Sequence, residues 1–228
     1  MTEELRFAQL ISTVAHELRS PLTSIKGFSA TLVKRWDRFG DEQRRQFVET
    51  IHDDAERMNR IVTEVLDLAR LEAKRIEYRV TPCDLGEVVK GASDRLVKRP
   101  GHDRLAIEVP EGLEVRADCE RVRRVLENVI ENALKFSDEE PVQVTAAEVS
   151  GAVEIKVEDR GVGIEPERVG EVFEGPGPQG QQATPTGSGL GLYLAKRLLD
   201  GQGGSISVES RPGEGSTFTI RLPSQGAV

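Results

Sequence analysis

Ser12-Thr-Val-Ala-His16-Glu17-Leu-Arg-Ser-Pro21-Leu-Thr-Ser-Ile-Lys26-Gly27 decides how the N-terminal third of the chain folds. Ile11, Leu18, Ile25 and Leu32 recur at heptad spacing, with Val14, Leu22 and Ser29 between them, which predicts a helix carrying one apolar stripe suited to a bundle. His16 stands two positions before Leu18, so at about 100° per residue it points away from the stripe, toward water. Glu17 is its neighbour. Pro21 deletes a backbone donor and leaves the Glu17 carbonyl without its usual partner, which predisposes the helix to bend just past the histidine. An exposed imidazole, an adjacent acid and a weakened turn suit nucleophilic chemistry.

The first helix is expected over about 2–35, with Gly40 as the turn residue and Asp41 as the cap of a second helix over about 41–76. Ile51, Met58 and Val65 form one apolar line on that helix; Ala55, Val62 and Ala69 lie beside it, flanked by Phe47, Ile61 and Leu68. Two helices packed only on each other would leave much of this surface wet. Burying one Leu, Ile or Val side chain is worth roughly 1.5–3 kcal/mol, against a whole-domain stability of about 5–15 kcal/mol. A second hairpin resolves the difficulty by making a four-helix bundle, so a homodimer is expected.

The 228 residues suit two modest domains. The pattern turns from helical to extended around Tyr78–Asp84, with Pro82 at the break, which divides the chain into 1–77 and 78–228. A net charge of −8 argues against a nucleic-acid partner, because neutralising phosphates requires a basic surface. No window approaches the apolar length of a membrane span, so no membrane contact is expected within the chain. Cys83 and Cys119 lack metal-type spacing and follow no secretion signal, so reduced thiols and a cytoplasmic location are expected.

Beyond the boundary, helices are expected over 84–98, 118–136 and 188–200, and strands over 105–109, 113–117, 142–149, 153–158, 205–210 and 216–222. A Pro100-Gly101 turn follows the first of these helices. Helices and strands mix without regular βαβ alternation, which points to a layered α/β sandwich and makes the whole chain α+β. On 118–136, Asn128, Asn132 and Lys135 fall within an arc of about 60°, opposite Val122, Leu126, Val129, Ile130 and Ala133. Amide oxygens suit Mg²⁺, and a lysine offsets phosphate charge. Asp159-Arg-Gly161-Val-Gly163 follows a strand, where an acid can accept a hydrogen bond and glycines let the backbone approach a ligand. Gly187-Ser-Gly189-Leu190-Gly191-Leu192 opens the last helix and offers free N–H groups to phosphate. It lacks the Gly-Lys-Ser/Thr ending of a Walker motif, and no strand leads directly into it as a Rossmann fingerprint requires.

The run His16-Glu-Leu-Arg-Ser-Pro-Leu22 resembles the phosphoacceptor box of sensor histidine kinases. Arg124–Ser137 resembles the asparagine box of the ATP-binding half that these kinases share with gyrase-type and chaperone ATPases. In the same way Asp159–Gly163 looks like the first glycine box, Val172-Phe173-Glu174 a truncated phenylalanine box and Gly187–Leu192 the second glycine box. Gly213–Ile220 resembles the closing hairpin, and the His16 box excludes the gyrase-type relatives.

The resemblance implies a dimeric helical hairpin followed by an ATP-binding sandwich, with ATP and Mg²⁺ bound. By resemblance Asn132 is the main Mg²⁺ ligand with Asn128 helping, and Lys135 meets phosphate. Asp159 accepts the adenine amino group, Gly161 and Gly163 shape its pocket and Phe136 lines the base. Gly187, Gly189 and Gly191, with Leu190 and Leu192, border the phosphates, and about 165–186 forms a lid. His16 attacks the γ-phosphate while Glu17 orients the imidazole and takes its proton; the phosphate then passes to an aspartate on a response-regulator receiver domain. A sensor or membrane region normally precedes such a hairpin. Two departures stand out. Glu174-Gly-Pro-Gly-Pro-Gln-Gly-Gln-Gln lacks the second aromatic and the basic residues usual in the lid, which implies loose closure and slow turnover. Ser20 occupies the position where relatives that dephosphorylate their regulator commonly carry Thr or Asn, and its hydroxyl is the candidate for orienting water.

Overall fold

The computed structural model describes residues 3–73, 76–97, 102–137, 139–175 and 190–224, with 3–10 described by backbone alone. The chain divides into two compact units, with a break after Ala73. The first is a hairpin of α1 (Glu3–Arg35) and α2 (Asp41–Glu72), joined by a 3-10 turn at Trp36–Arg38. Pro21 lies inside α1. Phe47 of α2 meets Phe28 at 5.2 Å and Phe39 edge-on at 5.1 Å, closing the turn end of the hairpin. Leu32, Ile61 and Leu68 are buried, whereas Ile11, Leu22, Val62 and Leu66 remain exposed. The apolar residues of the hairpin therefore fall into two sets, one covered and one exposed.

The second unit contains β1 (Thr81–Asp84), α3 (Leu85–Leu96), β2 (Leu105–Glu108), β3 (Glu114–Ala117), α4 (Cys119–Phe136), β4 (Val142–Val149) and β5 (Ala152–Asp159). After them come the short α5 (Pro166–Val169), α6 (Gly191–Asp200), β6 (Ser205–Arg211) and β7 (Gly215–Pro223). The five-stranded sheet runs β2-β4-β5-β7-β6, with β2 parallel to β4 and the other pairs antiparallel. β1 and β3 form a separate antiparallel pair. Alternation on the central strands buries Val142, Val144 and Ala146, then Val153, Ile155 and Val157, then Phe218, Ile220 and Leu222. The intervening Thr145, Lys156 and Thr219 take the other face, the pattern of a sheet covered on one side. Helices supply that cover: α4 buries Val122, Val125, Leu126, Val129, Ile130, Ala133 and Leu134, and packs against α3 and α6. Asp118 starts α4 by accepting from the Arg121 N–H, and Asp84 starts α3 by accepting from Glu87.

Several expected boundaries shift. α2 stops at Glu72, not near 76, and 81–84 pairs as a strand, which extended character alone did not establish. The Pro100-Gly101 turn, Gly187, Gly189 and the lid beyond 175 lie outside the described residues.

The expectation of reduced thiols is corrected, because Cys83 and Cys119 form a disulfide with Cα atoms 5.7 Å apart. Register explains the pairing: Cys83 on β1 sits opposite Val115 on β3, and the chain leaving β3 reaches Cys119 as the first residue of α4. Closing a loop between residues 36 apart restricts the unfolded chain by about 4 kcal/mol in the chain-entropy treatment. Reduction, or Cys119→Ser, should therefore lower the melting temperature of the second unit by roughly 8–15 °C in differential scanning calorimetry. A midpoint indifferent to reductant would show that the cross-link does not form.

Candidate functional site

In the hairpin, His16 is exposed on α1 and borders an open groove lined by Arg19, Ser20, Thr23, Ser24 and Phe28. Ser20 thus lies one turn from His16 on the same groove. Glu17 is placed differently from expectation. Successive helix residues diverge by about 100°, so with His16 facing water Glu17 turns toward α2. Its side chain is only 7% exposed, and Oε2 accepts a 2.9 Å hydrogen bond from Nη2 of Arg57. A carboxylate this buried needs such a partner, and a charge-assisted bond is the strong kind. Among the described residues the carboxylate's partner is therefore Arg57, not His16. Arg57 carries no signal in the sequence, since nothing local marks a contact across 40 positions.

In the second unit, α4 divides as its periodicity predicts. Asn128, Asn132 and Lys135 are half-buried on the face opposite the core residues. Asn128 is braced, its Nδ2 donating to the Gly191 carbonyl at 3.1 Å and so tying α4 to the first turn of α6. The Lys135 ammonium rests 4.5 Å from the centre of the Phe136 ring, which places a cation and an aromatic face together at the end of α4. Leu190 is fully buried just before α6, while Gly191 and Leu192 are half-buried at its start.

Asp159 continues the inward row Val153, Ile155, Val157 and is 4% exposed. A carboxylate at a core position at a strand end is costly unless it is bonded. Its Oδ1 accepts from the Gly161 N–H at 2.9 Å. Burial pushes its pKa up, opposed by hydrogen bonds from the Gly161 and Ser216 backbone N–H groups and reinforced by nearby Glu158. Two glycines hold the loop after it. A Cβ on Gly161 would run into the Phe136 carbonyl, the group that accepts from Val162 N–H at 3.2 Å. Gly163 adopts φ +68°, and a Cβ there would strike the backbone of Arg211. Gly213 N–H donates to the Val162 carbonyl at 2.8 Å, and Ile164 N–H to Ser210 Oγ at 2.9 Å. The loop carrying Asp159 is thus fixed between the end of α4 and the β6–β7 hairpin. Phe173 is buried edge-on against Phe218 at 6.3 Å, so the single aromatic of the shortened motif is spent on the core.

Among the described residues no group of three or more His, Cys, Asp or Glu side chains is placed to hold a metal. Asn132 is compatible with Mg²⁺ nonetheless, because this ion is usually held through one or two protein oxygens and completed by substrate phosphates and water. No helix among the described residues is long and apolar enough to cross a membrane.

Two family models match the chain: "His Kinase A (phospho-acceptor) domain" over 8–74 and "Histidine kinase-, DNA gyrase B-, and HSP90-like ATPase" over 117–226. Histidine protein kinase DivJ of Caulobacter vibrioides is 36% identical over 227 residues, covering 95% of this chain and 37% of the relative. The chain therefore spans little more than a third of that protein. The structure of full-length ShkA in complex with AMPPNP superposes with a TM-score of 0.67 at 28% identity, covering 97% of this chain and 47% of that one. Histidine kinase ThkA, solved with response regulator protein TrrA, gives a TM-score of 0.67 at 22% identity, with 99% and 68% covered.

Proposed function

The chain belongs to the sensor histidine kinases of two-component signalling, and on that premise we propose that it moves the γ-phosphate of Mg-ATP to His16 and onward to an aspartate of a response-regulator receiver domain. The observation that carries this reading is the coexistence of an exposed imidazole beside a helix-interior proline with a buried, backbone-bonded strand-end carboxylate facing the α4 terminus. We assign 1–77 to dimerisation and phosphotransfer and 78–228 to nucleotide binding. Asp159 takes the adenine amino group, Phe136 the base and Lys135 the phosphates, with Gly187, Gly189, Gly191 and their leucines around them. Asn132, helped by Asn128, is the residue to hold Mg²⁺, which supplies charge neutralisation on the phosphates when bound.

One ring nitrogen of neutral His16 attacks the γ-phosphorus, the P–O bond to ADP breaks with its electron pair on the leaving oxygen, and the other ring nitrogen loses its proton. The family resemblance gives that proton to Glu17, a role that requires its carboxylate to leave Arg57, its partner in this structure, and turn to His16. The N–P bond then transfers its phosphoryl group to the regulator's carboxylate. AMPPNP in ShkA supports the nucleotide class, and the ThkA–TrrA assembly is the precedent for the partner. Such an enzyme works where ATP is, on the cytoplasmic side. A disulfide is uncommon in that reducing compartment, and Cys83, at 2% exposure, is the half of this one shielded from small thiols.

The test is label from γ-phosphate-labelled ATP, with and without Mg²⁺, followed by addition of a receiver domain. Acid-labile, alkali-stable label that then moves to the receiver is expected. Nucleotide binding without any phosphohistidine over hours would instead select a nucleotide-gated binding module. In the same mixture, Ser20→Ala separates water-driven loss of phosphate from transfer, because Ser20 borders the His16 groove and its hydroxyl is the candidate for orienting water.

The exposed stripe of Ile11 (53%), Leu22 (46%), Val62 (44%) and Leu66 (52%) supports a dimer. Burying those four side chains against a second hairpin contributes several kcal/mol per protomer at roughly 25 cal/mol per Å². Light scattering at micromolar concentration should give twice the 25.1 kDa chain mass. A monomeric mass would mean that the stripe is covered in some other way.

A further inference from the structure

Four hydrogen bonds fan out from one side chain that lies outside the phosphoacceptor, asparagine and glycine boxes. Arg104 ends the 3-10 turn His102–Arg104 directly before β2. Its Nη2 donates to the Leu134 carbonyl at 2.9 Å, and its Nη1 to Ser137 Oγ at 3.0 Å, the Glu140 carbonyl at 2.8 Å and, more weakly, the Ser137 carbonyl at 3.5 Å. The carbonyls of a helix's last turn have no intrahelical partner, and a cation there also meets the negative end of the helix dipole. Arg104 meets both needs at the C-terminus of α4, and Ser137 beneath it is fully buried.

The same short strip is held from a second side. Between Leu134 and Ser137 the Phe136 carbonyl takes the Val162 N–H, in the loop where Gly161 donates to Asp159. Lys135 and Phe136 therefore stand between two grips, one from Arg104 and one from the loop of the buried carboxylate. Releasing either grip lets the last turn of α4 fray and moves the cation and the aromatic ring relative to Asp159.

We propose that Arg104 is a positioning residue for nucleotide: by pinning the last turn of α4 it sets the placement of Lys135 and Phe136 against Asp159, and hence the affinity for Mg-ATP. The inference rests on the nucleotide-binding reading above. Arg104 touches no substrate and acts through the Leu134, Ser137 and Glu140 carbonyls and the Ser137 hydroxyl. A guanidinium serves several acceptors in fixed directions at once; a lysine ammonium keeps the charge and loses the fork.

The test compares Arg104→Gln, Arg104→Lys and Asp84→Ala in the full chain, at a temperature well below every melting midpoint. Asp84→Ala removes the cap of α3, destabilising the same unit without touching the α4 terminus. Arg104→Gln should raise KM for Mg-ATP about tenfold, with kcat for autophosphorylation held within about twofold, the split that marks lost binding and not lost chemistry. Arg104→Lys should recover part of the loss, and Asp84→Ala should leave KM unchanged. Unaltered KM in Arg104→Gln, or an equal rise in Asp84→Ala, overturns the inference while the nucleotide reading stands. Failure of the unaltered chain to bind Mg-ATP at all overturns the reading itself, and the inference with it.

Discussion

His16→Gln is expected to remove acid-labile label from the chain entirely while leaving Mg-ADP affinity within about twofold of the unaltered protein. The glutamine amide nitrogen shares its lone pair with the carbonyl and cannot attack phosphorus, so the chemical step loses its nucleophile and not merely its efficiency. The side chain is exposed on α1, and such surface replacements usually shift stability by only about 0.5 kcal/mol, so lost label would not reflect lost fold. The chain has two other histidines, His52 and His102. His102 is hydrogen-bonded through Nε2 to Ser93 Oγ at 3.0 Å, and His52 is exposed on α2 beside Asp53 and Asp54. Label persisting in His16→Gln at the chemistry of a phosphoramidate would move the acceptor to one of these. Alkali-labile label would point to a hydroxyl or a carboxylate and end the histidine reading.

Features with a local period were legible. The apolar and polar faces of α4 follow from its spacing of Val, Leu and Ile against Asn and Lys, and the structure keeps both faces. The row Val153, Ile155, Val157, Asp159 carries a signal of its own: a carboxylate on the inward phase of a strand has to be bonded or functional. Features made by distant contacts were not legible. Arg57 meets Glu17, Arg104 meets Leu134 and Ser137, and Cys83 meets Cys119, each across 30 residues or more, and no period or motif marks such pairs. The hairpin shows the same limit. Its apolar residues are plain in the sequence, but the sequence does not say which stripe faces the sister helix. Ile61 and Leu68 are buried, while Val62 and Leu66, one and two positions away, stay exposed.

Asp159→Asn should separate stability from binding. At neutral pH the native fold holds this carboxylate where burial disfavours its charge, and the Gly161 and Ser216 N–H groups only partly offset that cost. A folded-state pKa raised above the unfolded one means that the native chain binds the proton more tightly. Stability then falls as pH rises from the ordinary carboxylate value, near 4, through the raised one, and stays at its lower level above it. Asparagine has the same shape, keeps an oxygen for Gly161 N–H and carries no charge. Melting midpoints for the variant should therefore match or exceed the native ones at pH 7, and the native decline across that acidic window should flatten. Binding should move the other way. A charged acceptor facing an adenine amino group contributes about 1.5–3 kcal/mol, and an amide N–H₂ turned toward that amino group opposes two donors. Mg-ADP affinity by titration calorimetry should accordingly fall about 100-fold. A residue kept only for packing would show the reverse, with lower melting midpoints and intact affinity, and that result would remove Asp159 from the nucleotide site. Greater stability together with lost binding is what a carboxylate retained at a stability cost for its ligand should give.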